Sequence, residues 1–243
     1  METFNSLAEI IDWTSKQERC HVAQWFYRGH ADKDFQLVPK LCRLNEAKTD
    51  SFSSWEEMES SLIGRFRREA EAFAAGKLYD EKDWLALAQH HGLPTRLLDW
   101  TSNLMIAVYF AVTELPDIDG CVWGLGFPST NNCHSESTIY SKVKTLWQNP
   151  FIHFPKHLSS RIVNQGGCFT VHVDDVPLDE DARCKDIMKF EKIIIPSSAK
   201  KRIRQSLYDL GIHESFVYPG IEGISKRLLY EIDTRVSFPS KQH

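Results

Sequence analysis

The chain has 243 residues, 42% of them hydrophobic and 26% charged, which is the composition of an ordinary globular protein. Its 29 Lys and Arg residues against 33 Asp and Glu residues make it mildly acidic, so overall charge gives no case for nucleic-acid or membrane binding. No apolar run approaches the roughly 20 residues that a membrane span requires. The acidic, amphipathic start of the chain lacks the features of a secretion signal, and we therefore expect a cytoplasmic protein with no membrane partner.

The cysteines are scattered and show no paired spacing. Without a secretion signal, this pattern predicts reduced and mostly buried thiols. The six are Cys20, Cys42, Cys121, Cys133, Cys168 and Cys184. We also expect no metal site, because the adjacent His90 and His91 would point about 100° apart on a helix.

The N-terminal half is predicted to be mainly helical. A short helix is expected within residues 4–19, followed by the strand "QWFYRG". The inward positions of that helix are expected to be Leu7, Ile10, Ile11 and Trp13. A longer helix should start at Ser53 or Ser54 and end at Gly76. Its apolar face is predicted to comprise Trp55, Met58, Leu62, Phe66, Ala70 and Phe73.

Two further helices and then a sheet are predicted. The helix "EKDWLALAQHHG" should end at Gly92, and the alanines of the apolar "NLMIAVYFAVTE" favour a helix over a strand. From Cys121 onward, "GCVWGLGF", "GGCFTVHV" and "KFEKIIIP" predict strands, with a polar insertion over residues 128–160 that could form a lid. Helices "SSAKKRIRQSLYDLG", capped by Ser197 or Ser198, and "EGISKRLLYEI" follow. No repeat or linker divides the chain, so we predict a single α+β domain over 1–243, with N-terminal helices on a mainly antiparallel sheet.

Arg28 follows three aromatic residues in the first predicted strand of this sheet and precedes Gly29. A guanidinium in such a strand stays protonated, so it requires an anionic or strongly accepting partner. That partner could be a carboxylate of the protein or the phosphate of a ligand.

A second unusual stretch is "LALAQHHGLPTRLLDWTSN", which places many polar side chains beside apolar ones. Each has a structural explanation. The histidines suit the last turn of a helix, Arg96 could pair with Asp99, and Ser102 or Asn103 could cap the next helix. The density of these residues taken together also fits a functional site.

These two stretches closely resemble the FRG domain family. The resemblance rests on Tyr27-Arg28-Gly29, which departs from the family's naming motif in having tyrosine for phenylalanine, and on the block from Gln89 to Thr101. It covers roughly residues 22–113, and we expect the strand-rich half, 120–243, to belong to the same domain. The family occurs in bacteria and phages and has been described mainly as of unknown function, so the resemblance leaves the partner of Arg28 open.

A second resemblance is to ADP-ribosyltransferases of the arginine-serine-glutamate type. Arg28 lies in "FYRG", Thr101 and Ser102 lie in "DWTSNLMIAVYFA", and Glu191 lies in "KFEKIIIP", in the order of that class. The chain departs from the class at Trp100, which replaces the first serine, and at Lys189, two residues before the glutamate. The proline that follows Glu191 is also one residue further away than is usual.

This resemblance implies a split sheet and NAD as co-substrate. Glu191 would stabilise the oxocarbenium-like state of nicotinamide cleavage, and Arg28 would bind the pyrophosphate. The implied catalytic residues are Arg28, Ser102 and Glu191. The implied NAD-binding residues are Arg28, Gly29, His91, Thr101, Ser102, Tyr109 and Phe110. Glu222, in "FVYPGIEG", is the alternative acid, and Gln165 is either a loop amide or a second pocket residue.

Three functional hypotheses follow. The first is an NAD-using transferase or NAD-cleaving enzyme with a protein or nucleic-acid acceptor, acting as a bacterial or phage toxin or defence effector. The second is a non-enzymatic module in which Arg28 pairs internally with Asp99. The third is an RNA- or DNA-processing protein that uses His90 or His91, which would require the basic run of Lys200, Lys201, Arg202 and Arg204 to lie beside those histidines; otherwise that run is a solvated face.

Overall fold

A computed structural model describes residues 2–16, 22–44, 52–73, 80–128, 151–155, 160–185 and 188–234. The strands are β1 (Glu2–Thr3), β2 (Val22–His30), β3 (Leu97–Thr101), β4 (Gly120–Pro128), β5 (Phe151–His153), β6 (Gly167–Val171) and β7 (Lys189–Ile195). The α-helices are α1 (Leu7–Lys16), α2 (Trp55–Ala70), α3 (Glu81–His90), α4 (Leu104–Thr113), α5 (Ser160–Gln165), α6 (Ser197–Asp209), α7 (Glu214–Val217) and α8 (Ile221–Thr234). The predicted α+β class is confirmed.

The described strands form one sheet in the order β1-β7-β4-β2-β3-β6-β5. Every neighbouring pair is antiparallel except β1 with β7. β2 pairs with β4 along its whole length, but it pairs with β3 only at Tyr27 and Thr101. The two strands therefore separate on the side of Tyr27 that leads to Arg28, and the sheet opens there.

The glycine after Arg28 lets a helix approach the sheet. α4 is apolar on all sides and lies against β2, where a Cβ added at Gly29 would stand 1.8 Å from the carbonyl oxygen of Ala107. No side chain fits into that space. Tyr27 and Val122 are buried beneath α4, while Phe26 and Trp100 belong to a second core on the opposite face.

Two of the predicted inward positions prove exposed. Leu7, Ile10 and Trp13 of α1 are buried as predicted, but Ile11 is 47% exposed. Phe73 is 86% exposed. The predicted apolar face of α2 is only partly covered, because the main contacts of that helix are with α3 and the short 3-10 helix Leu41–Arg43.

The caps predicted for the starts of α2 and α4 are confirmed, whereas the cap predicted for α6 is wrong. Ser54 caps α2, and Asn103 caps α4 through the backbone N–H of Met105 at 2.9 Å. The predicted serine cap of α6 is wrong: its N-cap is Pro196, and a distant carboxylate, Asp119 Oδ1, accepts from the N–H of Ser197 at 2.9 Å.

Several predictions fall partly on residues outside the described ranges. Gly76, Cys20 and Cys133 lie there, as does most of the predicted insertion, of which Phe151–His153 is described and forms β5. The cysteines that the structure describes are free thiols: Cys42, Cys121, Cys168 and Cys184.

Candidate functional site

The guanidinium of Arg28 is fixed by two hydrogen bonds at the opening between β2 and β3. Nε donates to His30 Nε2 at 2.8 Å, and Nη1 donates to the backbone carbonyl of Asp99 at 2.7 Å. The Asp99 carboxylate is further away, with Oδ2 3.7 Å from Nη1, and its side chain is 63% exposed. Arg28 is therefore neither bidentate to Asp99 nor enclosed in a core.

His30 is a neutral acceptor for Arg28. Burial, followed by the positive charge of Arg28, lowers the pKa of His30 to about 3. The ring is therefore uncharged near neutral pH, and Nε2 can accept only if the ring proton is on Nδ1. Nδ1 lies 3.1 Å from the carbonyl oxygen of Phe35 and donates to it. This chain of bonds orients Arg28 without neutralising its charge.

Two adjoining cavities meet at Arg28. The first, of about 240 Å³, is lined by residues that include Arg28, Asp99, Thr101, Phe110, Arg161 and Gln165. The second, of about 210 Å³, is lined by residues that include Arg28, Phe35, Arg43, Phe110, Glu114 and Tyr218. Together they fall within the range of roughly 300–1,000 Å³ typical of ligand pockets, which neither reaches alone. We call them the first and second cavities of the Arg28 cleft.

The Thr101 and Ser102 pair fastens the end of β3 to the turn before β6. Thr101 is buried, and its hydroxyl donates to the carbonyl of Gln165. The N–H of Ser102 donates to the carbonyl of Gly166 at 3.0 Å. Thr101 and Gln165 line the first cavity. The amide group of Gln165 donates to the carbonyl of Val217 at 3.0 Å, and this hydrogen bond fixes its orientation. Of the two alternatives for Gln165, the structure therefore favours the pocket residue.

The two predicted aromatic residues occupy different positions. Phe110 is half-buried and lines both cavities. Tyr109 lines the second cavity and is buried, which raises the pKa of its hydroxyl well above the usual range. His91 lies at the end of α3 against His90 and Phe66, and lines neither cavity of the cleft.

Glu191 lies three strands away from Thr101 in the sheet, outside the cleft. Thr101, Tyr27, Gly124 and Glu191 are consecutive partners across β3, β2, β4 and β7. At the usual strand spacing, Glu191 lies roughly 14 Å from Thr101. It forms an ion pair with Lys189 at 3.1 Å and lines neither cavity. The alternative acid, Glu222, is exposed on α8 and pairs with Lys226 at 2.7 Å.

The expected Arg96–Asp99 ion pair is wrong. Arg96 instead forms a buried ion pair with Glu59 of α2, which also accepts the backbone N–H of Arg96 at 2.7 Å. The guanidinium of Arg96 also lies 4.7 Å from the ring centroid of Trp55. This cluster joins α2 to β3, and the Asp99 carboxylate remains at the cleft.

The basic run of α6 is not a uniform solvated face. Lys200 is buried, and its ammonium donates to the carbonyls of Ala31, Glu114 and Leu115 at 2.6, 3.1 and 2.9 Å. α6 packs mainly against α4, whereas α3, which carries His90, packs mainly against α2 and β3. The basic run of α6 is therefore not packed beside the histidines of α3, as the nucleic-acid-processing hypothesis requires.

Neither a metal cluster nor a membrane helix is found within the described ranges. There, no three His, Cys, Asp or Glu side chains group in a way that could hold a metal ion. Of the helices in the described segments, none is both long and apolar enough to cross a membrane.

Arg161 and Tyr218 line the cleft but were not among the predicted site residues. The guanidinium of Arg161 lies 4.9 Å from the ring centroid of Tyr218. Both residues follow the polar block by more than fifty positions, and no motif marks them. Only the pairing of β6 with β3 brings α5 and its Arg161 to the cleft.

Comparison with known protein families matches the FRG domain to residues 23–119, which run from β2 to the edge of β4. No curated protein and no solved structure matches the chain. The matched segment supplies Arg28, Asp99 and Phe110, whereas Arg161 and Tyr218 come from the part of the chain that follows it.

Proposed function

We propose that this chain, which contains an FRG domain over residues 23–119, binds NAD in the Arg28 cleft and cleaves its nicotinamide bond, with water or a macromolecule as the acceptor. The observation that carries the proposal is the state of Arg28. Its guanidinium is oriented by a neutral histidine and a backbone carbonyl, while the Asp99 carboxylate forms only a long ion pair with it, at 3.7 Å. A preoriented fork of this kind suits the phosphates of a dinucleotide.

The size and composition of the cleft support a ligand with two parts. Arg28 lies where the two cavities meet, and the aromatic wall of Phe110 faces both. A dinucleotide has a charged centre between two flat ring systems, so its pyrophosphate would lie at Arg28 with one ring system on each side. The aromatic ring of Phe110 offers a stacking surface for one of those rings.

We assign the catalytic carboxylate to Asp99. Cleavage of the nicotinamide bond develops positive charge on the ribose, and a nearby carboxylate stabilises that charge. Asp99 lines the first cavity, whereas Glu191 does not. The Asp99 carboxylate also makes no close hydrogen bond to Arg28, which leaves it available to a substrate.

A toxin or defence role extends this proposal. An enzyme that consumes NAD, or attaches ADP-ribose to an essential macromolecule, stops the growth of the cell that contains it. Expression of the wild-type chain in bacteria should therefore lower growth, and expression of Arg28→Lys at the same level should not.

The experiment is nicotinamide release from NAD by the purified full chain, with and without cell lysate. We compare wild type with Arg28→Lys, Asp99→Asn and Glu191→Gln, and check each fold by thermal unfolding. We expect Arg28→Lys and Asp99→Asn to lower turnover by about 100-fold, the usual effect of removing one transition-state contact. Glu191→Gln should stay within about threefold of wild type, because that side chain lies outside the cleft.

The outcomes separate the competing hypotheses. Release only in lysate would identify transfer to a macromolecular acceptor. Release abolished by Glu191→Gln but unaffected by Asp99→Asn would support NAD chemistry and overturn the assignment of Asp99. Folded wild-type protein that releases no nicotinamide in either condition would contradict the proposed function and favour the non-enzymatic module.

A further inference from the structure

Arg161 places a second guanidinium on the first cavity. It lies in the first turn of α5, outside the FRG-matched segment, and lines the same cavity as Arg28. Its contact with the Tyr218 ring holds the side chain in place but supplies no negative charge. No ion pair to Arg161 is found among the residues that the structure describes.

The charge balance of the first cavity favours an anion. Its charged lining residues are Arg28, Arg161 and Asp99, and the Asp99 carboxylate stands 3.7 Å from Arg28 Nη1. One positive charge therefore remains after Asp99 is counted. Arg161 has no ion pair within the described chain, and Glu222, whose pKa is lowered first by Lys226 and also by the charge of Arg161, is itself paired with Lys226. The excess positive charge therefore lies on the Arg161 side of the cavity.

We propose that Arg161 and Arg28 together bind a diphosphate group, one phosphate at each guanidinium, so that the cleft selects diphosphate-containing nucleotides over monophosphates. This inference rests on the proposed function, because it names the part of the substrate that the first cavity holds. In this arrangement Arg161 is a binding residue. Asp99, which lines the same cavity, would face the ribose whose bond to nicotinamide is cleaved.

The volume of the first cavity suits this role. At about 30 Å³ per water molecule, about 240 Å³ corresponds to roughly eight waters. That is room for about half of a dinucleotide, but not for the whole molecule. The remaining half of the ligand would extend past Arg28 into the second cavity.

The test is calorimetric titration of the full chain with ADP-ribose, which contains a diphosphate, and with AMP, which has one phosphate. We expect wild type to bind ADP-ribose at least about tenfold more tightly than AMP, because a charge-assisted hydrogen bond contributes about 1.5–3 kcal/mol. Arg161→Ala should lose about 10- to 100-fold in affinity for ADP-ribose and should leave AMP binding within about threefold of wild type. Arg161→Lys should fall between the two, since it keeps the charge without the planar fork.

A matched control is Arg65→Ala, which removes an exposed arginine of α2 that is paired with Glu69. It should bind both nucleotides as wild type does, and the thermal unfolding of every variant is measured to confirm its fold. Equal wild-type affinities for ADP-ribose and AMP, no binding of either, or unchanged ADP-ribose binding in Arg161→Ala would each overturn the inference.

The two proposals fail separately. Arg161-dependent binding of ADP-ribose by a protein that never releases nicotinamide would support the diphosphate site and contradict NAD cleavage. NAD cleavage whose KM is unchanged in Arg161→Ala would support the proposed function and overturn the diphosphate site.

Discussion

Arg28 contacts Asp99 through the backbone carbonyl of that residue at 2.7 Å, while the carboxylate stands 3.7 Å away. The distinction decides what the pair does. A carbonyl positions the guanidinium without cancelling its charge, and the exposed carboxylate remains part of the cleft wall. A close, bidentate ion pair between the same residues would have removed both groups from ligand binding.

The fold should therefore tolerate Asp99→Asn. The hydrogen bond to the carbonyl survives the substitution, and a long, exposed ion pair contributes little, so we expect the free energy of unfolding to fall by less than about 1 kcal/mol. Glu59→Gln is the comparison. It breaks the buried ion pair with Arg96 and should cost about 3 kcal/mol or more. Urea denaturation measures both, and equal losses would show that Asp99 is a structural partner of Arg28.

Acidification should destabilise the protein through His30. Its pKa of about 3 in the fold is below the ordinary value of 6.5, so the unfolded chain binds a proton that the folded chain excludes. This contribution to stability is complete above about pH 6.5 and is lost progressively as the pH falls towards 3. Between pH 6.5 and 5, wild type should lose about 2 kcal/mol more than His30→Gln, which keeps an acceptor for Arg28 but does not titrate.

The measurement is urea denaturation of both proteins across that pH range. His91→Gln, at an exposed position, is the matched control and should follow wild type. Parallel pH dependences for wild type and His30→Gln would contradict the assignment of His30 as a neutral acceptor.

Gly29→Ala should prevent α4 from packing on β2. The added Cβ would lie 1.8 Å from the carbonyl oxygen of Ala107, and backbone on both sides must move to relieve the clash. We expect a loss of about 3 kcal/mol or more. Gly64→Ala is the control, because its Cβ would meet only the end of the Arg68 side chain at 3.8 Å. A helical alanine there should add about 0.5–1 kcal/mol, and a Gly29→Ala protein as stable as wild type in urea would refute this packing argument.

Lys200→Met should destabilise the protein, although the residue belongs to a run of charges. Three carbonyls now bonded to its ammonium would lose their donor in a buried place, at a cost of about 3 kcal/mol. The neighbouring Lys201 is exposed, so Lys201→Met should unfold at nearly the wild-type denaturant concentration. Similar unfolding midpoints for the two variants would show that the carbonyl contacts of Lys200 add nothing to stability.

Local signals in the sequence predicted most of the elements. Gly92 follows the end of α3, and Asn103 caps the start of α4. The helix expected in "NLMIAVYFAVTE" is also present. The FRG resemblance was likewise carried by contiguous residues, and the family match confirms it. Such signals succeed because caps, turns and periodic burial depend on neighbours within a few positions along the chain.

The partners of the charged residues depended on tertiary structure. Arg96 pairs with Glu59 instead of the nearby Asp99, and Lys200 is buried under carbonyls instead of facing solvent. In each case a local pairing or exposure was expected, and a contact with a sequence-distant group formed instead. A charged side chain takes the partner that the packed elements bring within reach, and its own sequence neighbours do not specify that partner.

The sequence by itself determined that Arg28 sits in an aromatic strand before a glycine and needs an accepting partner. Only the tertiary structure decided that β2 and β3 part beside it, that His30 and the Asp99 carbonyl hold it, and that Arg161 faces the same cavity. Strand propensity and capping act over a few residues, whereas a cleft is formed by elements that strand pairing brings together from distant parts of the chain.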